Sequence, residues 1–298
     1  MTELTNFPRP VLLDGGLGRE LGFRGVEVPN SIWSAWALLV APDTVREVHT
    51  DYIAAGADII TTNTYCTLRT HLERADVADG YEELNRLAGR LAVEARDSSD
   101  RPALIAGSLA PMFESYRPDL VLPVEESEPV YREQAEILAD YVDMFICETM
   151  SKSDESLAAA RAAASTGKPV WVSWNLHSEL PGHLRSGESI EEATAALEGV
   201  PVSGFLANCC MPELIDAGMQ HLVATGAPNV GGYANTFYPT PDGWTIEDNN
   251  MERIRTDLDP PAYLGFVESW LANGATVVGG CCGTRPEHIR LIAEKLGR

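Results

Sequence analysis

Four of the six cysteines in this 298-residue chain come as adjacent pairs, Cys209-Cys210 and Cys281-Cys282. The second pair lies in ATVVGGCCGTRPE, residues 275–287. There a β-branched run (Thr276, Val277, Val278) leads into Gly279-Gly280, the two thiols, Gly283 and a helix opening near Pro286. Neighbouring residues of a regular strand point to opposite faces. The glycines are therefore expected to let the backbone leave β geometry just before the pair, turning both sulfurs to one point. A buried thiol pair or a vicinal disulfide is the plainer alternative, since free Cys is among the most buried residue types. The upstream cluster Asn208-Cys209-Cys210, after the short apolar run 204–207, favours a metal. Three thiolates from two strand ends make a three-cysteine site with one coordination position open, the mark of a catalytic rather than a structural zinc.

Such a site needs strand ends that meet. Short apolar runs end at Leu13, Ile60, Ile105, Ile146, Val172, Leu206, Val230 and Val278, each bounded by Gly, Asp, Asn or Ser. Helical patterns fall between them, over 42–55, 82–98, 129–141, 153–165, 189–198, 211–225, 260–273 and 286–296. Pro or Ser opens several of these, and Gly56, Gly167, Gly226 and Gly274 sit just past helix ends, as capping preferences require. Strands alternating with helices imply a parallel sheet, and eight units in this length imply one closed (β/α)8 TIM barrel spanning residues 1–298 as a single domain. An open doubly wound sheet lacks its glycine fingerprint, which the DGGLG segment at 14–18 resembles only loosely. In a barrel, the C-terminal strand ends share one face and carry the chemistry. Asp14, Asn63, Ser108, Glu148, Asn175, Cys209, Asn235 and the Cys281-Cys282 pair are placed there, a polar, metal-competent and anionic collection.

With 44 acidic and 22 basic residues, the net charge is −22. That excludes nucleic-acid and anionic-membrane surfaces as partners, since both need basic patches. Lysine occurs only at positions 152, 168 and 295; salt adaptation and a plain solvated acidic surface both fit. No apolar stretch reaches the length of a membrane span, and MTELTNFPRP lacks the regions of a signal peptide. The expectation is a soluble cytoplasmic protein whose thiols stay reduced.

At these segments the sequence resembles the homocysteine S-methyltransferase family, zinc-dependent thiol methyltransferases built on a homocysteine-binding barrel. The segments are LLDGGLGREL (12–21), SIWSAWALL (31–39), HTDYIAAGADIITTNTY (49–65), ICETM (146–150), ANCC (207–210) and GGCCGTRPEHI (279–289). The resemblance implies Cys209, Cys281 and Cys282 as the Zn2+ ligands. It implies Asp14 and Glu148 as acids for the substrate ammonium, the amides around Gly15 and Gly16 for its carboxylate, and Thr62 and Asn63 as further members of that site. The implied partners are a small thiol acceptor and a methyl donor, with S-methylmethionine or S-adenosylmethionine preferred over a betaine or a methylcorrinoid. Selenocysteine or another small thiol is the alternative acceptor. A zinc- or redox-sensing binding protein is the alternative from another class, and it has no use for Asp14 and Glu148.

The chemistry is consistent with the residues. A thiol is mostly protonated at neutral pH, while the thiolate is the nucleophile. A cation held by three thiolates can take a fourth and displace its proton. Two features depart from the family pattern. LAPMFESYRPD follows Gly107-Ser108 where relatives carry a Gly-rich loop, expected on the donor side, and Cys210 adds a thiol beside the expected ligand. Cys66 and Cys147 are read as packing thiols, and His177 and His183 as residues of a solvated loop.

Overall fold

The computed structural model describes residues 9–29, 31–241, 243–245 and 254–298. Most of the N-terminal segment read above for a leader lies outside these. Eight strands run in the order β1-β8-β7-β6-β5-β4-β3-β2, every pair parallel. They are β1 (Val11–Leu12), β2 (Ile59–Thr61), β3 (Leu104–Leu109), β4 (Met144–Met150), β5 (Val170–Trp174), β6 (Val202–Asn208), β7 (Asn229–Ala234) and β8 (Val277–Gly280). A parallel bridge from Leu13 to Ile59 closes the ring, with the Asp14 N–H on the Ile59 carbonyl and the Asp58 N–H on that of Leu12. The single (β/α)8 barrel is as expected.

Alternation along the strands explains the layers. Val11, Leu13, Leu104, Ala106, Met144, Ile146, Trp171, Leu206 and Val277 form the apolar barrel interior. Their neighbours Leu12, Ile105, Phe145, Cys147, Val170, Val172, Phe205, Ala207 and Val278 pack outward under the helices. Stepping two residues on from the interior set reaches Thr61 on β2, Ser108 on β3, Glu148 on β4, Ser173 on β5 and Asn208 on β6. These strands therefore end on a polar layer at the mouth. Apolar content alone stops the strands too early: β3, β4 and β7 each run four residues past the apolar runs that announce them.

Eleven α-helices are described: α1 (Leu17–Phe23), α2 (Trp36–Val40), α3 (Pro42–Ala55), α4 (Arg69–Leu72), α5 (Tyr81–Asp97), α6 (Val124–Leu138), α7 (Ser153–Ala164), α8 (Ile190–Ala196), α9 (Pro212–Ala224), α10 (Pro260–Ala272) and α11 (Pro286–Lys295). Ser189 and Glu192 form a reciprocal capping box at α8, and Asp259 caps α10 through the Ala262 N–H. Gly56 ends α3 at φ 113°, and a Cβ there would also stand 2.5 Å from the Ala293 methyl. Pro129, taken from sequence as a helix start, lies inside α6. The helix begins five residues earlier, after Pro123, and Pro129 in its second turn costs it one intrahelical N–H bond. No helix among the described residues is long and apolar enough to cross a membrane.

Candidate functional site

A cavity opens at the mouth, lined by Asp14, Glu148, Cys209, Cys281 and Cys282 among others. The three cysteine sulfurs lie within 4.8 Å of one another, with Cys209 and Cys282 at 3.8 Å, and none is in a disulfide. Cys210 faces the other way, into the helix–sheet core, where burial pushes its thiol up to about 12. The sequence left Cys209 and Cys210 as rivals apart from the family pattern; the geometry brings Cys209 to the pair.

The backbone turns that gather the sulfurs differ from those expected. Gly279 and Gly280 stay within β8. A Cβ on Gly280 would meet Thr284 Oγ1 at 2.1 Å, and one on Gly279 would meet Leu13 Cβ at 2.6 Å. Their smallness admits close neighbours, and the left-handed residue is Gly283, after the pair, at φ 85°. Just past β6 the left-handed residue is Cys209 itself, at φ 51°. Thr149 beside Glu148 has φ 62°, a strained value for a β-branched residue. Asn208 ties the two turns together: its Oδ1 accepts from the Thr149 N–H at 2.8 Å and its Nδ2 donates to Thr149 Oγ1 at 2.9 Å. Asn175 and Asn235 both donate to the Cys209 carbonyl, at 2.9 and 2.8 Å.

The three thiols titrate as one group. S–H groups of Cys281 and Cys282, with Tyr116 and Asn235, hold Cys209 as a thiolate well below the usual thiol range. That charge keeps protons on Cys281 and Cys282 well above it. A thiophilic cation fits this set. Tetrahedral coordination with metal–sulfur bonds of about 2.3 Å places sulfurs about 3.8 Å apart, which matches the Cys209–Cys282 separation.

The two acids stand across the same cavity. Asp14 accepts from the Thr61 N–H at 2.7 Å and from Thr61 Oγ1 at 3.1 Å. Glu148 accepts from Ser108 Oγ and from the Tyr233 hydroxyl. Burial raises Asp14 to about 8 and Glu148 to about 7, despite these donors. No Lys, Arg or His lines the cavity among the described residues. Two desolvated carboxyls with no resident cation form a receptor for a positive charge.

Gly15 and Gly16 line the cavity too, but the Gly16 N–H is taken by Thr284, through its carbonyl at 3.2 Å and its Oγ1 at 3.3 Å. A Cβ on Gly16 would lie 2.6 Å from the Cys281 carbonyl, so this glycine keys the β1 loop against the cysteine loop. Of the two amides expected at a substrate carboxylate, only that of Gly15 stays in consideration. Thr62 bonds Thr64 and the Ser108 N–H, and Asn63 Nδ2 holds the Ser34 carbonyl. Both line the cavity while bracing its wall. His177 caps its own exposed loop, and His183 bonds the Pro181 carbonyl. Cys66 and Cys147 are buried, with thiols pushed up by desolvation. Thr61, Tyr116 and Tyr233 were not singled out from sequence. Two-residue alternation from Ile59 identifies Thr61, whereas no local pattern marks Tyr116.

A sequence profile of the homocysteine S-methyltransferase family matches residues 11–296. The chain is 30% identical over 311 residues to homocysteine S-methyltransferase of Escherichia coli, spanning 96% of this chain and 94% of that protein. It is 31% identical over 321 residues to selenocysteine methyltransferase of Astragalus bisulcatus, spanning 97% and 93%. The crystal structure of the metallated form of the Escherichia coli homocysteine methyltransferase MmuM superposes with a TM-score of 0.79 at 28% identity, covering 96% of each chain.

Proposed function

The chain belongs to the homocysteine S-methyltransferase family and is a methyltransferase, and on that premise we propose that it methylates the thiol of homocysteine at a zinc site formed by Cys209, Cys281 and Cys282. The observation that carries this reading is the sharing of one cavity by a convergent set of three cysteines and two buried, uncompensated carboxyls. A zinc or redox sensor has no use for the carboxyls; an amino-acid thiol uses both halves.

Cys209, Cys281 and Cys282 would hold the zinc ion, which would supply Lewis acidity that lowers the pKa of an incoming thiol. Asp14 and Glu148 bind the acceptor's ammonium, and the Gly15 N–H is assigned to its carboxylate. Thr61, Ser108 and Tyr233 keep the two acids oriented. The thiol proton leaves to solvent. The sulfur's electron pair then forms the new S–CH3 bond as the donor's C–S bond breaks, and a sulfonium donor departs as a neutral thioether. Trp33, Tyr65, Phe237 and Trp244 line the cavity and restrict water. An anionic, cation-free lining favours a positively charged donor, which supports S-methylmethionine or S-adenosylmethionine. The family and the reduced thiols support a cytoplasmic location.

The test is a matrix of acceptors and donors: homocysteine and selenocysteine, each with S-methylmethionine, S-adenosylmethionine and a betaine. Methionine formed from homocysteine and a sulfonium is the expected product, with zinc at about one per chain. The selenocysteine arm decides whether the likeness to the Astragalus bisulcatus enzyme extends to the selenol. No turnover with any pair by zinc-replete protein would overturn the proposal.

A further inference from the structure

The segment between β3 and α6, expected from sequence on the donor side, is a braced element by its contacts. The Met112 carbonyl accepts from Thr70 of α4, and the Phe113 carbonyl contacts His71 Nε2 at 3.0 Å and accepts from Arg74 at 2.5 Å. Arg74 also pairs with Glu114 at 2.9 Å, and Ser115 shares a 2.6 Å hydrogen bond with the Tyr65 hydroxyl. The residue these anchors deliver is Tyr116, held at φ 66°. A non-glycine residue persists in that region only when its surroundings over-determine it. Its ring packs edge-on against Trp244, centroids 5.1 Å apart, and its hydroxyl lies 3.1 Å from Cys209 Sγ.

The direction of that contact follows from the chemistry. A cysteine that ligates a cation has no proton to give, so the phenol donates. Asn235 Nδ2, at 4.0 Å, approaches the same sulfur. Among the described residues, no oxygen or nitrogen donor contacts the sulfur of Cys281 or Cys282. Among the described residues, the set is therefore asymmetric in its hydrogen bonding: Cys209 accepts from outside the cluster, while Cys282 feels only the more distant charge of Arg19.

We propose that Tyr116 is a positioning residue for the methyl transfer, whose hydroxyl donates to the Cys209 thiolate, fixing that sulfur's direction and reducing its electron donation to the bound cation. This rests on the three-cysteine reading of the site. Weaker donation from one ligand leaves the cation a stronger Lewis acid at its open position, where the acceptor thiol enters. The loop before Tyr116 is then the brace that sets the sulfur, in place of a flexible cover on the donor side.

The test uses full-length protein loaded with cobalt(II), whose thiolate-to-metal charge-transfer absorption reports sulfur donor strength. Tyr116→Phe keeps the ring against Trp244 and deletes the donor. The expected result is a shift of that band to lower energy at unchanged cobalt stoichiometry. Placing 3-fluorotyrosine at position 116 makes a stronger donor without altering packing, and should move the band to higher energy; it carries the test even if the phenylalanine variant folds poorly. Bands that coincide with wild type in both proteins would overturn the role of Tyr116 while leaving the three-cysteine site intact. Wild-type protein that takes up no cobalt would overturn both.

Discussion

The two halves of the cavity are held by opposite means. On the sulfur side, backbone geometry does the positioning: Cys209 sits in a left-handed turn, its carbonyl fastened by Asn175 and Asn235, and Gly283 turns the chain after the other two ligands. On the carboxyl side the backbone at Asp14 is not left-handed and the one strained residue, Thr149, follows the acid Glu148; the cost carried by the acids themselves is electrostatic, burial raising them to about 8 and about 7. One half is strained to bind a cation through three covalent-like bonds; the other is desolvated to bind an organic cation through hydrogen bonds. Losing a group from the first should remove a ligand, whereas losing one from the second should remove only selectivity. That contrast can be broken by mutation.

The largest effect is expected at the sulfurs. Cys209→Ala, Cys281→Ala and Cys282→Ala should each lose bound zinc and all measurable transfer, because a tetrahedral site missing one of its three protein ligands no longer holds its metal tightly. Cys210→Ala should keep both, since its thiol lies in the helix–sheet core. Metal content by elemental analysis, measured beside turnover, checks this. Full zinc occupancy in the Cys281→Ala/Cys282→Ala double variant would disprove the ligand assignment.

Next come the acids. Asp14→Asn and Glu148→Gln preserve shape and remove charge. Breaking a buried charged hydrogen bond costs roughly 2–5 kcal/mol, a loss of about thirtyfold or more in kcat/KM. Zinc should remain bound, and preference for homocysteine over a thiol lacking the amino group should collapse. Wild-type preference in both variants would move the amino-acid site elsewhere.

The same contrast governs what the sequence made legible. Adjacent cysteines among glycines, and an acid closely following a run of β-branched or apolar positions, stand out locally, so the ligands and both acids could be named from their positions. The means of gathering them could not. Gly279 and Gly280 looked like hinges, yet their smallness serves Leu13 and Thr284, contacts made 266 and 4 residues away in sequence. Pro129 looked like a helix start because its first-turn preference is local, while the extra turn before it carries the buried Ser127, whose hydroxyl donates to the Leu122 and Pro123 carbonyls. Tyr116 reaches Cys209 across 93 residues, a separation that no motif records. The barrel itself was readable because its alternation repeats in every unit; its polar layer was under-read because strand ends there carry function in place of apolar side chains.

A smaller effect is expected from pH. The acids must be ionised to pair with an ammonium, and in the free protein they titrate at about 8 and about 7. Below those values binding must first displace a proton, so affinity should rise with pH, by up to about tenfold per unit for each group. Methionine is the suitable probe, since it carries the ammonium and carboxylate without a titrating thiol. Calorimetric affinities between pH 6 and pH 9 should strengthen and then level off, and Glu148→Gln should flatten the lower part of the rise. A flat wild-type profile would mean that the acids do not meet the ammonium.

The smallest effect is on stability, and its sign opposes the effect on function. An acid whose folded pKa lies above its unfolded value, about 3.9 for Asp and 4.3 for Glu, binds more protons folded than unfolded between those limits. Stability then falls as pH rises through that window, from about 4 to the folded values. Removing the charge removes the penalty. Glu148→Gln is the cleaner choice, because the Ser108 and Tyr233 hydroxyls can each turn to accept where they now donate. At pH 8, without substrate, this variant should be more stable than wild type by on the order of 1 kcal/mol, about 1–2 °C in Tm for a domain of this size. The gain should vanish near pH 4, where both proteins carry a neutral group. Saturating amino-acid substrate should reverse the order, since wild type pairs the ammonium with both acids and the variant with Asp14 alone. Thermal melts at both pH values, with and without methionine, make the comparison. A variant less stable than wild type at pH 8 would mean that Glu148 has a structural cation partner, and the receptor reading of the carboxyl half would fall.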